Sequence, residues 1–335
     1  MPLSTRGGNI ELGDIEFLLL IITNTCNLRC RFCNLWKEER RNLNKKIIKN
    51  LLKEAKEYMG ASSIAVSGGE PLTRYKDVLY IMTEAQKLDI NEKILVTNGT
   101  LLTKEKIFKL YESGLTSIVF SIDGLGEVHN YLRGKSCFTS VINNLKSALK
   151  LRDTYKLKYK IIVDMTLNRL NLRNIPDLVN FLNDLGVDSI RVQPIIIRDS
   201  VFGLDKNSLP KIRDEFWIKK EDRSLLENVI NFLKEFKRET GIISNSDDHL
   251  ELMDAYFFEQ YKLNFKCEVY KHVISVDYNG DIRICTLGKP IGNIHKQSLK
   301  YVLKNVRIDL IKNIEYCKNK CLSFCHHYRK FLEEN

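Results

Sequence analysis

The sequence predicts an α/β fold in which a mostly parallel sheet is covered by outer helices. Three observations predict it. Apolar strand-like runs alternate with helix-like segments six times between residues 15 and 200, the pattern of successive βα units. Apolar residues make up 44% of 335, enough for one large core with a small module beside it. Chemistry-bearing residues gather just after the strand-like runs, at the strand ends where βα folds carry their sites.

Residues 1–14 form a short polar extension, too short for an added domain. Residues 15–22, rich in Ile, Leu and Phe, form the first buried strand. Residues 45–58 form a helix, with Ile47, Ile48, Leu51, Leu52 and Ala55 at helical spacing. Strands follow at 62–66, 93–96, 116–121, 158–166 and 189–193, with helices at 76–88, 103–111, 138–152 and 174–185 between them. Thr103 caps its helix with Lys106 where a capping box would have Glu, and Gly186 ends the last helix. The alternation stops near residue 195. A loop at 198–210, an amphipathic helix at 224–239 and an aromatic helix at 247–261 follow. The aromatic cluster is packing, or else a lid or wall over the sheet's mouth. Asn279-Gly280 between the apolar runs 273–278 and 281–284 signals a hairpin, and a helix follows near 299–310. The domain boundaries expected are 1–14 extension, 15–200 core, 201–265 helical linker or lid, and 266–335 C-terminal module.

The net charge of +11 reads as a Lys-rich solvated surface, because the basic segments 37–46 and 156–160 are short and mixed with acids or aromatics. An RNA substrate would draw on the same charge, but no added RNA-binding domain is visible and nucleic acid is not an expected partner. No apolar run reaches membrane-span length and no signal-peptide pattern opens the chain, so a cytoplasmic location is expected. The nine cysteines are too sparse for a disulfide scaffold and cluster toward the two ends, which favours metal binding in a reducing compartment.

Cys26-x3-Cys30-x2-Cys33 lies on a tight loop leaving the first strand. Three thiolates suit a soft metal or an iron–sulfur cluster. On a four-iron cubane they leave one iron open to a ligand. Zinc is the other reading, but zinc sites usually show four Cys/His ligands and no fourth lies nearby. Ser67-Gly68-Gly69-Glu70-Pro71 follows the second strand. Its glycines permit close approach to a ligand, and its carbonyls and the Glu70 carboxylate suit an ammonium group. Thr97-Asn98-Gly99 and Ser121-Ile122-Asp123-Gly124 end the third and fourth strands. These are short polar groups able to bond a ribose or carboxylate, and equally the residues that turns select. Arg133, in His129-x3-Arg133-Gly134, could grip a carboxylate bidentately. Asn168 or Asn171 could face the same site after the fifth strand. Arg191 and Gln193 are polar groups on a buried strand, serving either ligand or internal hydrogen bonds. Cys267-x12-Gly280-x4-Cys285, then Cys317, Cys321 and Cys325 at x3 spacings, form a second cysteine set, with zinc as the alternative metal. His326 and His327 could substitute as ligands. Cys137 stands alone and reads as an ordinary thiol.

These motifs, in this order over nearly the whole chain, resemble the radical S-adenosylmethionine (SAM) superfamily with a C-terminal SPASM or twitch extension. The resemblance implies a partial (β/α)6 TIM-like barrel followed by a β-hairpin and helix module. It implies a [4Fe–4S] cluster on Cys26, Cys30 and Cys33 whose open iron chelates SAM, and SAM contacts from Gly68, Gly69, Glu70, Asn98, Ser121, Asp123, Arg133 and Asn168. It also implies an auxiliary [4Fe–4S] cluster on Cys267, Cys285 and two of Cys317, Cys321 and Cys325. A full SPASM module carries more cysteines than these five, so one complete auxiliary cluster, twitch-like, is expected. The implied activity is reductive cleavage of SAM and hydrogen abstraction from substrate, with an electron donor such as ferredoxin or flavodoxin, and with the auxiliary cluster assisting oxidation or rearrangement. Thr286 follows Cys285 where sulfatase-maturing relatives have Asp, no leader-binding domain is visible, and the tail differs from the glycine-rich, arginine-bearing end of the GTP cyclases. A sugar-, nucleotide- or lipid-like small molecule is therefore favoured as substrate over a peptide or protein undergoing maturation. A non-catalytic iron–sulfur carrier or sensor, which would not need the Gly68-to-Glu70, Asp123 and Arg133 sites, is the reading from another class.

Overall fold

The computed structural model describes residues 5–6, 9–10, 15–199, 202–315, 317 and 321–323. Cys325, His326 and His327 lie outside the described residues. In the leader, β1 (Thr5–Arg6) and β2 (Asn9–Ile10) pair antiparallel. The core is a run of parallel strands in chain order: β3 (Phe17–Ile21), β4 (Ser63–Ser67), β5 (Glu92–Thr97), β6 (Ser117–Ser121), β7 (Lys160–Leu167) and β8 (Ser189–Pro194). The helices between them are α1 (Lys45–Glu54), α2 (Tyr75–Lys87), α3 (Lys104–Glu112), α4 (Gly126–Arg133), α5 (Phe138–Tyr155) and α6 (Ile175–Leu185).

Local chemistry explains these elements. In β7 the residues alternate, so Ile161, Val163, Met165 and Leu167 are buried while Asp164 and Thr166 face the other way. α1 buries Ile48, Leu51 and Leu52 on one stripe and continues through a wider turn at Ala55–Met59 to left-handed Gly60. The Thr103 hydroxyl caps α3 by accepting the Lys106 N–H at 3.4 Å. Gly186, at φ +81°, ends α6 in a conformation a side chain would strain. Helix α4, which carries His129 and Arg133, is not among the expected elements. α7 (Leu209–Phe216) likewise occupies the end of the expected 198–210 loop and runs beyond it.

The sheet does not close into a barrel. Its order is β11-β10-β9-β3-β4-β5-β6-β7-β8, with β8 at one edge. The C-terminal hairpin, β9 (Val273–Val276) and β10 (Asp281–Arg283), joins this sheet: β9 lies parallel to β3, Phe17 opposite Val273 and Leu20 opposite Val276. β10 pairs antiparallel with β9 and with β11 (Gly292–Asn293). The hairpin turn has Gly280 at φ +78° and Asp277 accepting the Asn279 and Asp281 N–H groups. α8 (Arg223–Thr240) and α9 (Asp247–Phe258) pack on each other. The aromatic α9 is packing: Tyr256 and Phe257 stack with Trp217, and the Tyr256 hydroxyl donates to the Ile195 carbonyl at 2.9 Å. The helix expected near 299–310 is two, α10 (Leu299–Lys304) and α11 (Ile308–Glu315). No helix among the described residues is long and apolar enough to cross a membrane.

Because β9 is a strand of the main sheet, Ile274, fully buried on it, belongs to the common core. Ile274→Ala is expected to cost about 2–5 kcal/mol and to keep one cooperative denaturant transition. A second, separate transition would show the hairpin to be an independent unit.

Candidate functional site

The cysteine loop is held by three neighbouring loops. After β4, the Gly69 N–H donates to the Thr23 carbonyl at 2.7 Å and the Glu70 N–H to the Thr25 carbonyl at 2.8 Å. A Cβ on Gly69 would lie 2.5 Å from the Thr25 oxygen and 2.6 Å from the Asn24 oxygen, and one on Gly68 would lie 2.5 Å from the Thr23 oxygen. Only a glycine pair lets the two backbones meet this closely. After β5, Asn98 Nδ2 donates to Asn27 Oδ1 at 3.0 Å, and Asn27 Nδ2 donates to the Thr100 hydroxyl at 2.7 Å. From the end of α4, the Leu132 carbonyl accepts the Arg31 N–H at 3.0 Å, and Gly134, at φ +69°, sits so close to the Arg29 carbonyl that a Cβ would overlap it.

Glu70 is fully buried, and burial raises its pKa. Its carboxylate accepts from Leu72 N–H at 2.9 Å, the Thr97 hydroxyl at 2.8 Å and Asn98 N–H at 2.8 Å. Three of about four acceptor positions are thus taken, so Glu70 braces the β4 and β5 loops and keeps little capacity for an ammonium group. Arg133 is nine-tenths buried. Its Nη2 pairs with Asp123 Oδ2 at 2.7 Å, and the guanidinium also hydrogen-bonds the Cys30 thiol. Burial alone would lower the Arg133 pKa, but Asp123 and Cys30 raise it, so the guanidinium stays charged. Its buried Nε has no hydrogen-bond partner. His129, also fully buried, accepts the Asp123 N–H at Nδ1 at 3.3 Å and is held neutral, its pKa lowered to about 3 by burial and by Arg133.

Cys26, Cys30, Cys33, Gly68, Gly69, Glu70, Asn98, Ser121 and Arg133 all line one cavity of about 1090 Å³. Burial pushes the Cys26 thiol up to about 11 and Cys33 to about 12, and raises Cys30 as well. Cys30 raises Cys26 further, and Cys30 and Cys26 both raise Cys33, so the three lie close together. Among the described residues, no three His, Cys, Asp or Glu side chains converge as tightly as a single bare ion would need.

Two expected residues are not at the cavity wall. Asp123 is fully buried behind Arg133, its Oδ1 accepting the Thr166 N–H at 2.9 Å. Asn168 is folded into its own turn, donating to the Thr166 carbonyl at 2.9 Å and accepting the Leu170 N–H at 3.0 Å. Asn171 also turns inward, donating to the Asp123 carbonyl at 2.7 Å. Arg191 and Gln193 do line the cavity. Arg191 makes a two-pronged pair with Asp164, Nε to Oδ1 at 2.5 Å and Nη2 to Oδ2 at 2.9 Å. Asp164 escaped the sequence reading; it alternates with buried Val163 and Met165 and so lies on the opposite face of β7, toward the cavity. The hairpin was also missed as cavity wall: Ser275, Asp277, Tyr278 and Arg283 line it, with Arg283 paired to Asp277 and the Tyr278 hydroxyl donating to Glu38 at 2.7 Å.

At the C-terminal set, Cys321 is buried. Burial raises its pKa, and Cys285 and Cys267 lie close enough to raise it further. Cys317 is half-buried at the end of α11. Cys137 is buried at the start of α5 and lines no part of the cavity.

Gly134→Ala is expected to push the cysteine loop off α4. Amide exchange at Arg31 should then accelerate at least about tenfold, a loss of about 1.4 kcal/mol of local protection, measured by hydrogen-exchange mass spectrometry. Unchanged exchange would show that the contact does not hold the loop.

Residues 20–182 match the family model described as the radical SAM superfamily. Over 254 residues the chain is 28% identical to a probable GTP 3′,8-cyclase of Sulfurisphaera tokodaii, covering 75% of this chain and 71% of that protein. It is 29% identical over 187 residues to the tungsten-containing aldehyde ferredoxin oxidoreductase cofactor-modifying protein of Pyrococcus furiosus, covering 54% and 52%. Among solved structures, Streptococcus suis SuiB bound to S-adenosylmethionine superposes with a TM-score of 0.66 at 20% identity, covering 92% of this chain and 68% of that one. The anSMEcpe structure with bound AdoMet and the Cp18Cys peptide superposes at 0.65 and 19%, covering 93% and 87%. With the cysteine loop at the end of the first core strand and the half-open parallel sheet around it, these matches show an enzyme that carries a radical SAM superfamily domain over residues 20–182.

Proposed function

We propose that this enzyme holds a [4Fe–4S] cluster on Cys26, Cys30 and Cys33, cleaves SAM reductively beside it, and abstracts a hydrogen from a small polar molecule in the same cavity. The observation that carries this reading is the convergence on one wall of three soft thiols, a glycine pair a Cβ would overfill, and a charged guanidinium with a partnerless buried Nε. That donor set fits the cofactors: thiolates for iron, on a loop the glycine pair seats against β4, and a fork for an amino acid carboxylate. When bound, the cluster supplies an electron and one iron free of thiolate. The chain's own groups do the rest. Arg133, fixed by Asp123, orients the cofactor carboxylate. Glu70 keeps the β4 and β5 loops at a fixed distance from the cysteines. The apolar lower wall of Phe17, Leu19, Ile94 and Val96 limits water around the reacting atoms.

A cavity of about 1090 Å³ exceeds what one drug-sized ligand needs, which supports a second molecule beside SAM. Its far wall offers carboxylate–guanidinium pairs and the phenol of Tyr278. These are donors and acceptors already balanced in charge, suited to a hydroxyl- or base-bearing sugar- or nucleotide-like substrate. The relatives named as probable GTP 3′,8-cyclases support the same class. Modification of a peptide is the second reading, favoured by the fold likeness to SuiB and anSMEcpe, each of which has been solved with peptide bound. A second, auxiliary cluster is proposed on Cys267, Cys285 and Cys321, supported by the nearness of both Cys285 and Cys267 to Cys321.

Anaerobically reconstituted, reduced protein is expected to release 5′-deoxyadenosine from SAM, and Cys30→Ala to slow this at least about a hundredfold. An intact cluster that yields none would favour an electron carrier. Arg133→Lys keeps the charge and loses the fork. It should weaken SAM about tenfold, about 1.4 kcal/mol, by calorimetry, and unchanged affinity would remove Arg133 from the cofactor site.

A further inference from the structure

A line of fully buried hydrogen bonds connects the last core strand to the C-terminal cysteines. Asn245, between α8 and α9, clasps the backbone of Val192 in β8. The Val192 N–H donates to Asn245 Oδ1 at 2.9 Å, and Asn245 Nδ2 donates to the Val192 carbonyl at 2.7 Å. The two bonds fix which end of the amide is which. The same Nδ2 lies 2.6 Å from His249 Nδ1, so Nδ1 must be the acceptor and the imidazole proton must sit on Nε2. Nε2–H then donates to the Leu322 carbonyl at 2.9 Å. Asn245, His249 and Leu322 are all 0% exposed. Leu322 directly follows Cys321, and Ser323, the next residue, lines the cavity.

We propose that His249 is a positioning residue for the auxiliary iron–sulfur site: through the Leu322 carbonyl it sets the place of Cys321, in register with the strand that carries Arg191 and Gln193. This rests on the reading that Cys267, Cys285 and Cys321 hold a cluster. The geometry gives the role its direction. β8 is anchored on both sides of Val192 by the main sheet and Asn245, so it is the fixed end. The segment 321–323 has no helix or strand of its own, so it is the end that is held. Hydrogen bonds join the two ends, and each donor in the line has a single orientation. His249 touches neither substrate nor reacting atoms and acts only through where it puts the thiol.

The test uses the full chain reconstituted anaerobically with ferrous iron and sulfide, reading iron per chain and the cluster signals by Mössbauer and electron paramagnetic resonance spectroscopy. Wild-type protein should hold roughly eight irons, four in each cluster. His249→Ala should fall to roughly four, losing the signal that ignores added SAM and keeping the one that responds to it, with native circular dichroism. A variant that keeps both signals unchanged overturns the proposal. Should His249→Ala lose native circular dichroism, His249→Gln takes its place. Loss confined to the SAM-insensitive signal supports the role, and equal loss of both signals, or of neither, overturns it. Wild-type protein with only roughly four irons, all SAM-responsive, overturns the auxiliary-cluster reading itself and is distinguishable from failure of His249 alone.

Discussion

The site depends on one close approach of backbone to backbone. Gly68 and Gly69 press against Thr23, Asn24 and Thr25, and two short amide bonds seal the contact. Everything near the cysteines is referenced to that seam. Glu70, carried by the same loop, fixes the end of β5, and Asn98 at that end reaches back to Asn27 beside Cys26. Arg133 and Gly134 close the loop from the opposite side. Side-chain cages tolerate small shifts, whereas a seam made of main chain does not, because no rotamer can absorb the displacement. The protein thus has a rigid frame around the three thiols.

Charge is handled differently inside and outside. The chain carries +11 overall, yet the charged groups in the cavity come largely as pairs: Arg191 with Asp164, Arg283 with Asp277, and Arg133 backed by Asp123. A buried pair adds little net stability, but a broken one is costly. Such pairs therefore hold strands in register and present fixed dipoles rather than free charge. Neighbouring β7 and β8 supply one pair and the hairpin strand with its turn supplies another, so the walls on the two sides of the opening are built alike.

Much of this was legible in the sequence, for identifiable reasons. The six strands and most helices could be read because Ile, Leu and Val repeat at the period each element imposes, as in α1 and β7. The cysteine loop, the glycine pair and Arg133 could be picked out by their spacing, and the structure brings them to one cavity. Asp123 and Asn168 could be placed at strand ends but not oriented. A short polar side chain serves a ligand and a turn equally well, and here Thr166, Leu170 and Arg133 claim them. Asp164 was overlooked because one acidic residue in an apolar run acquires meaning only when the neighbouring strand puts Arg191 opposite it. The hairpin was legible from Asn279-Gly280, but its docking on β3 was not, since that strand's hydrogen-bonding edge leaves no mark on side-chain pattern. The line from Asn245 through His249 to Leu322 joins residues far apart in the chain, and no local signal announces it.

The parallel contact of β9 with β3 has a consequence for how the protein is made. The partner of Phe17 is Val273, so on the ribosome the first core strand emerges long before the segment that covers its edge. Through most of translation that edge offers unsatisfied amide and carbonyl groups beside the three thiols, an invitation to mispairing that the finished sheet removes. Contacts so distant in sequence also slow the final collapse. The nascent chain therefore has a long period in which shielding by chaperones protects the product.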